Sequence, residues 1–312
     1  MFGTRKTARG ITMNKDYILS CESTVDEPYG NMAKRGIPVI FYTYTIGTQI
    51  FEDDMKRTPG STEEFYAKLK AGAKPVTSQI NMATYEEYFE KISAENDVLH
   101  IAFSSGLSGS VYNAFEAADA VMKKHPDRKI TVVDSLCASS GYGLLVDYAA
   151  DMKEAGKTFE EVKKWVEEYR NNVHHQFYCT DLSFFKRSGR VSAVTSLIGT
   201  ILGICPLMKL NDEGRIIAYS KAHGKRKALD ATFEVMKTEA LGGKNYDGKC
   251  YINHSNSPET AQILKDKVEE YFPNLKGKVE IFDIGFVVGS HCGPGVTALY
   301  FLGSPRKAVT KK

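Results

Sequence analysis

Three short segments carry residue types with chemistry to offer: Thr77-Ser78-Gln79 after Pro75, Ser104-Ser105-Gly106-Leu107-Ser108-Gly109-Ser110, and Gly289-Ser290-His291-Cys292-Gly293-Pro294-Gly295. Each is rich in hydroxyls or glycine. Exposed backbone N–H groups and hydroxyls donate to an anion without adding a permanent positive charge, so the shared chemistry is the holding of a carboxylate or phosphate. The second segment should link a buried strand to a helix. In a parallel sheet the loop beyond such a strand, with the following helix N-terminus, forms the usual ligand crevice. The same residues admit another reading, an acyl hydrolase with Ser104 or Ser105 as nucleophile, His291 as base and Asp283 as its orienter. Against that reading, no G-x-S-x-G elbow occurs in the chain, and a hydroxyl beside a histidine serves an anion pocket equally well.

The elements that must position these segments follow from periodicity. Residues 16–20, 37–46, 98–103 and 130–134 are short, rich in β-branched or aromatic side chains and bounded by polar turns, which predicts buried strands with helices between them. Thr84 with Glu87, Thr158 with Glu161 and Ser61 with Glu64 have the spacing of capping boxes. After the amphipathic helix that follows Thr158 the pattern changes near 170–175. Beyond that point CPLMKL-NDEG-RIIAYSKA predicts a hairpin turning at 211–214, then a helix over 227–241, a strand over 250–254 and a helix opening at Ser257-Pro258. Trp165 is expected in the core. The fold class is therefore α/β in the first half and α+β, largely antiparallel, in the second.

Composition narrows the function classes. With 312 residues, 42% hydrophobic and 25% charged, the chain is ordinary globular material with room for two domains. Forty-one Lys plus Arg against 38 Asp plus Glu gives a net charge of +3, too balanced for a protein whose main partner is nucleic acid. The six cysteines are scattered with no C-x-x-C pair, which excludes a zinc knuckle and fits a reducing, cytoplasmic setting. The longest uncharged run, 191–208, holds Ser, Thr, Gly and Pro206, so a buried helix and loop fits better than a membrane span.

Other motifs fail. Gly156-Lys-Thr158 lacks the first glycine of a phosphate-binding loop, and Gly141-Tyr-Gly143 lacks the third glycine of a dinucleotide fingerprint. His174 and His175 are adjacent, so on a strand they point to opposite faces and do not share a metal; an exposed pair at a domain junction is expected. The basic run Lys221-Ala-His223-Gly-Lys225-Arg226-Lys227 reads as a solvated loop ahead of a helix.

Taken together, Ser20-Cys-Glu-Ser-Thr-Val-Asp26, the Ile37-Pro-Val strand, Thr77-Ser-Gln, Ser104-Ser-Gly-Leu-Ser-Gly-Ser110, Val133-Asp-Ser135, Lys186-Arg-Ser-Gly-Arg190 and Gly289-Ser-His-Cys-Gly-Pro-Gly295 form a recognisable set. From about Lys15 to Gly303 the sequence resembles the DegV family of bacterial fatty-acid-binding proteins. It departs from the family pattern in the loops: Thr77-Ser-Gln-Ile-Asn81 stands for Thr-Ser-Gln-Pro-Ser, Glu22 for an aspartate, and Ser108-Gly-Ser110 for Ser-Gly-Thr.

The first residues carry Arg5, Lys6 and Arg9 with no apolar run after them, so 1–13 is expected to be a disordered or added extension. The resemblance implies two domains, an α/β domain at 14–172 and an α+β domain at 173–312, with a ligand tunnel between them. One long-chain fatty acid would lie there, its carboxylate held by Thr77, Ser78, Ser104, Ser105 and His291, with 191–208 as a candidate tunnel wall. The resemblance further implies a carrier without turnover of its own. It would present the carboxylate to a separate ATP-dependent fatty acid kinase and so feed acyl phosphate into phospholipid synthesis. Arg190 and Arg226 are the candidate contacts for that kinase or for the new phosphate. No cofactor, metal or nucleic acid is expected, and the chain is expected to be a monomer.

Overall fold

The computed structural model describes residues 17–192 and 203–306. The expected extension at 1–13 and most of the expected tunnel wall, 193–202, lie outside them. Along the first half the elements are β1 (Tyr17–Glu22), α1 (Tyr29–Lys34), β2 (Val39–Ile40), β3 (Thr43–Ile46), β4 (Gln49–Glu52), α2 (Ser61–Lys70), β5 (Val76–Ser78), α3 (Met82–Ile92), β6 (Asp97–Ala102), α4 (Ser110–Lys124), β7 (Ile130–Asp134), α5 (Ser139–Glu154) and α6 (Phe159–Tyr169). The second half continues with β8 (Val173–Tyr178), α7 (Ser183–Ser188), β9 (Val191–Ser192), β10 (Ile204–Leu210), β11 (Ile216–His223), α8 (Lys225–Glu239), β12 (Cys250–His254), α9 (Pro258–Tyr271), β13 (Glu280–Asp283), α10 (Phe286–Cys292) and β14 (Thr297–Leu302).

Strands β2-β1-β6-β7 form a parallel sheet in that order. β1 and β6 are buried on both faces, as strands covered by helices on each side must be. A second sheet, β13-β12-β14-β8-β10-β11-β9, is antiparallel except for the pairs β12–β13 and β9–β11 at its edges. The expected hairpin is β10–β11. The architecture is thus α/β with one parallel and one largely antiparallel sheet.

A third, three-stranded antiparallel sheet, β4-β3-β5, departs from the expectation. The apolar run 37–46 is not one strand. It leaves the parallel sheet after Ile40, Tyr42 N–H donates to Ser23 Oγ instead of to a ladder carbonyl, and β3 then pairs with β5. Thr77 therefore sits on a strand opposite Tyr44, where a turn was expected. Only one of the three capping boxes forms, at Thr158 and Glu161. Asn81 caps α3 by accepting from Thr84 N–H, so Thr84 is already inside the helix, and α2 starts behind Gly60 with no side-chain cap. His174 and His175 face opposite ways as expected, but both are buried, because β8 is an inner strand of its sheet.

One apolar core runs from β1 and β6 across α5 to β8, β12 and β14, and α5 is the element that touches both large sheets. Gly141 makes that close approach feasible: a Cβ there would press into Nε2 of His175 and the ring of Tyr300, both fixed in the core. Gly141→Ala is expected to destabilise the protein by about 1–3 kcal/mol through overpacking. The measurement is the denaturation midpoint at constant m-value; an unshifted midpoint would show that α5 can retreat freely.

Candidate functional site

Between the two large sheets lies a chamber, partly open to solvent, that spans about 930 Å³ of space between atoms including its mouth. Its walls are mostly apolar, formed by residues such as Leu107, Phe177, Phe185, Leu210, Ile284 and Val288, with Thr24, Ser139 and His175 among them. At one end it gathers polar groups: Thr77 and Ser78 from β5, Gln79, Ser108 from the loop before α4, His291 from α10, and exposed Arg190 after α7.

His291 owes its place to a buried acid far away in sequence. Asp53 is fully buried; its Oδ1 accepts from Arg57 Nη1 at 2.9 Å and its Oδ2 accepts from Val287 N–H at 3.2 Å. Helix α10 has no side-chain cap of its own, so Asp53 satisfies an N–H that the helix start leaves open. Val287 and His291 are one turn apart, so fixing the first aims the second. Gly285 fits here because a Cβ would press on Asp26 Oδ1 and lie 2.7 Å from Arg57 Nη2. Burial pushes the Asp26 carboxyl up to about 8, although Arg57 and the Ser139 hydroxyl, which donates to its Oδ2 at 2.5 Å, favour the charged form.

Thr77 Oγ1 and His291 Nε2 are hydrogen-bonded at 2.8 Å across the chamber end. Burial, with Arg190 and Arg187 adding repulsion, lowers the His291 pKa to about 4, so the imidazole is neutral near neutral pH. Ser108 Oγ accepts from Ser110 N–H at 3.2 Å and lies within hydrogen-bonding reach of the Tyr42 hydroxyl. Beneath them Tyr42 lines the chamber and donates to Glu22 Oε2 at 3.2 Å, while Tyr85 donates to Glu22 Oε1 at 2.6 Å. Glu22 also accepts from Phe103 N–H, so this fully buried carboxylate is saturated with donors.

Of the expected carboxylate partners, Thr77, Ser78 and His291 line the chamber, as does Arg190. Ser104 and Ser105 do not. Ser104 is buried, donates to the Gly214 carbonyl at 2.9 Å and accepts from Gly106 N–H, tying its loop to the β10–β11 turn. The backbone N–H of Ser105 donates to Asp134 Oδ1. Ser108, from the same serine-rich loop, lines the chamber. The hydrolase arrangement is not assembled either: Asp283 faces His254 at 3.5 Å, and the partner of His291 Nε2 is Thr77. Arg226 is exposed in the first turn of α8 and does not line the chamber. The residues not singled out from the sequence are Tyr42, Ser108 and the Asp26–Asp53–Arg57 group, although Ser108 and Asp26 lie within segments 104–110 and 20–26.

Among the described residues no helix is long and apolar enough to cross a membrane, and no three His, Cys, Asp or Glu side chains group to hold a metal. The six cysteines are free and buried.

These features define an α/β protein with an apolar chamber between a parallel and an antiparallel sheet, its polar end furnished mainly with neutral donors. Residues 20–303 match the family model described as "Uncharacterised protein, DegV family", and the chain belongs to the DegV family. It is 34% identical over 296 residues to a DegV domain-containing protein of Clostridium perfringens, covering 94% of this chain and 99% of that one. A DegV family protein from Thermus thermophilus, described for its fatty acid binding, shares 26% identity at a TM-score of 0.80 over 92% of this chain and 99% of its own. A DegV lipid-binding protein from Thermotoga maritima shares 26% identity at a TM-score of 0.78, over 94% of this chain and all of its own.

Two outcomes are expected. In a proton titration of the ligand-free protein, His291 should titrate near 4; a midpoint near the ordinary 6.5 would contradict its burial. Because its folded value lies below its unfolded one, the stabilisation from the neutral imidazole is complete above about 6.5 and is lost as pH falls toward 4. Asp53→Asn, which leaves Arg57 buried without its counter-charge, should cost about 3–5 kcal/mol in denaturant unfolding; a loss under about 1 kcal/mol would show that the pair does not anchor α10.

Proposed function

We propose that this protein binds one long-chain fatty acid in the chamber, with the carboxylate at Thr77, Ser78, Ser108 and His291. The observation that carries the reading is the Thr77–His291 hydrogen bond in the wall of a mostly apolar chamber. A saturated tail gains roughly 0.8 kcal/mol for each CH₂ removed from water, so the tail supplies affinity. The head group supplies placement. A buried carboxylate without partners is costly, and converging hydroxyls with a histidine able to take up a proton meet that cost. The fatty acid binding of the Thermus relative supports the same assignment.

The finer proposal is that the protein is a carrier without turnover of its own. It works as a cytoplasmic monomer of two domains, 14–172 and 173–312, and presents the carboxylate to a separate ATP-dependent fatty acid kinase whose acyl phosphate enters phospholipid synthesis. Arg190, exposed beside His291, is the first candidate to meet the kinase or the new phosphate. Arg226 is the second.

Native mass spectrometry followed by denaturing extraction tests the binding. A near-stoichiometric long-chain fatty acid is expected. Thr77→Ala and His291→Ala should each weaken binding by about 10- to 100-fold, the value of a hydrogen bond to a charged group. A clean ligand-free mass that also refuses added fatty acid would sink the proposal. Charge reversal at Arg190 should slow phosphorylation by the kinase while leaving fatty acid loading intact; an unchanged rate removes Arg190 from the docking surface.

A further inference from the structure

The polar end of the chamber has a buried anion behind it. Glu22, the last residue of β1, is fully buried and takes the protons of Tyr42 and Tyr85 together with the Phe103 N–H. His100 Nε2 stands 3.6 Å from its Oε1 without a hydrogen bond, and no Lys or Arg pairs with it among the described residues. Burial and the charge of Glu22 hold both phenols well above their ordinary pKa, so each keeps its one proton and gives it to Glu22. On their far sides the phenol oxygens can only accept, Tyr42 from Ser108 and Tyr85 from Ser110 Oγ at 3.2 Å. A carboxylate that meets Ser108 therefore has a negative charge two hydrogen bonds behind that serine.

The charges facing His291 do not cancel this. Helix α10 packs on α7, β3 and β5. From β5 come only hydroxyls. Tyr44 of β3, Tyr66 of α2 beside Gly289, and Cys292 on α10 itself are neutral, because burial pushes the first up to about 12 and the other two upward as well. At the helix start Asp53 and Arg57 offset one another, and burial keeps Asp26 protonated below about 8. Arg187, on α7, and Arg190, just after it, are the cations near the imidazole, and both are exposed. Water and salt screen them, whereas Glu22 is screened by neither.

An ionised head group would thus meet neutral donors, an unscreened anion and two screened cations. Outside the protein a carboxyl is ionised above about pH 4, so the acid arrives as an anion at neutral pH. His291 Nε2, neutral and hydrogen-bonded to Thr77 Oγ1, is the base at hand. Once a carboxyl oxygen takes the Nε2 position, the Thr77 hydroxyl is released to donate to the second oxygen.

We propose that each fatty acid enters the chamber together with one proton from solvent, held between a carboxyl oxygen and His291 Nε2, and that the buried charge of Glu22 enforces this pairing. The inference rests on the fatty-acid reading of the chamber. One carboxylate and one proton become a neutral acid–imidazole pair, and no other bond forms or breaks.

Calorimetric titration of the full chain with tetradecanoate in phosphate, HEPES and Tris, whose ionisation enthalpies differ, counts the protons taken up for each acid bound. About one is expected near neutral pH, with affinity falling about tenfold for each pH unit above it. His291→Gln, which cannot hold a proton, should bring the uptake below about 0.3, and Glu22→Gln, similar in shape but uncharged, should lower it too. Uptake below about 0.3 in the unmodified protein, or uptake unchanged in His291→Gln, overturns the proposal. Native mass spectrometry with tetradecanol keeps the two readings apart. Acid bound without proton uptake leaves the chamber its ligand and removes the proton, while refusal of both acid and alcohol removes the ligand and the proposal with it.

Discussion

Burying Asp53 beside Arg57 takes two ions out of water at a cost of several kcal/mol each, which an ion pair offsets only with good geometry and further hydrogen bonds. Here both conditions are met across the molecule. One carboxylate oxygen takes the guanidinium and the other takes the Val287 N–H, while the Arg57 guanidinium lies 4.9 Å from the centroid of the Phe286 ring. An ion pair formed in the first half of the chain thereby fixes a seven-residue helix of the second half, and with it the histidine that meets Thr77. The chamber's polar end exists because the two halves are joined at this point.

Neutral donors dominate that end for a related reason. A permanent cation inside the apolar chamber would carry its own desolvation cost whenever the chamber held no anion. Hydroxyls and a neutral imidazole do not. The cations Arg187 and Arg190 stay at the solvent side, near enough to repel a proton from His291 and exposed enough to remain hydrated.

The sequence made the layered architecture legible because β-branched runs bounded by turns report buried strands, and 130–134 and 250–254 coincide with β7 and β12. It also pointed to Thr77 and His291 through glycine- and hydroxyl-rich segments. What stayed hidden were the features decided by contacts distant in sequence. The break between β2 and β3 depends on Ser23 accepting from Tyr42, and the absence of Ser104 from the chamber wall goes with its hydrogen bond to the Gly214 carbonyl. No spacing rule could reveal Asp53 as the cap of a helix that begins at residue 286. The pair Gly141 and Gly143, which failed as a nucleotide motif, belongs to a helix pressed against two sheets, where a missing side chain is a packing requirement.

Strand β8 places His175 and Phe177 on one side of the sheet and His174 and Gln176 on the other. Point substitution can therefore retune either wall alone, since neighbouring codons address different compartments. Insertion or deletion of one residue cannot, because it would exchange the two sets, sending Gln176 toward the chamber and Phe177 to the face packed under α8. Over evolutionary time this strand should tolerate changes of letter far more readily than changes of length. The two faces are free to diverge in what they pack against, yet bound to keep a common frame.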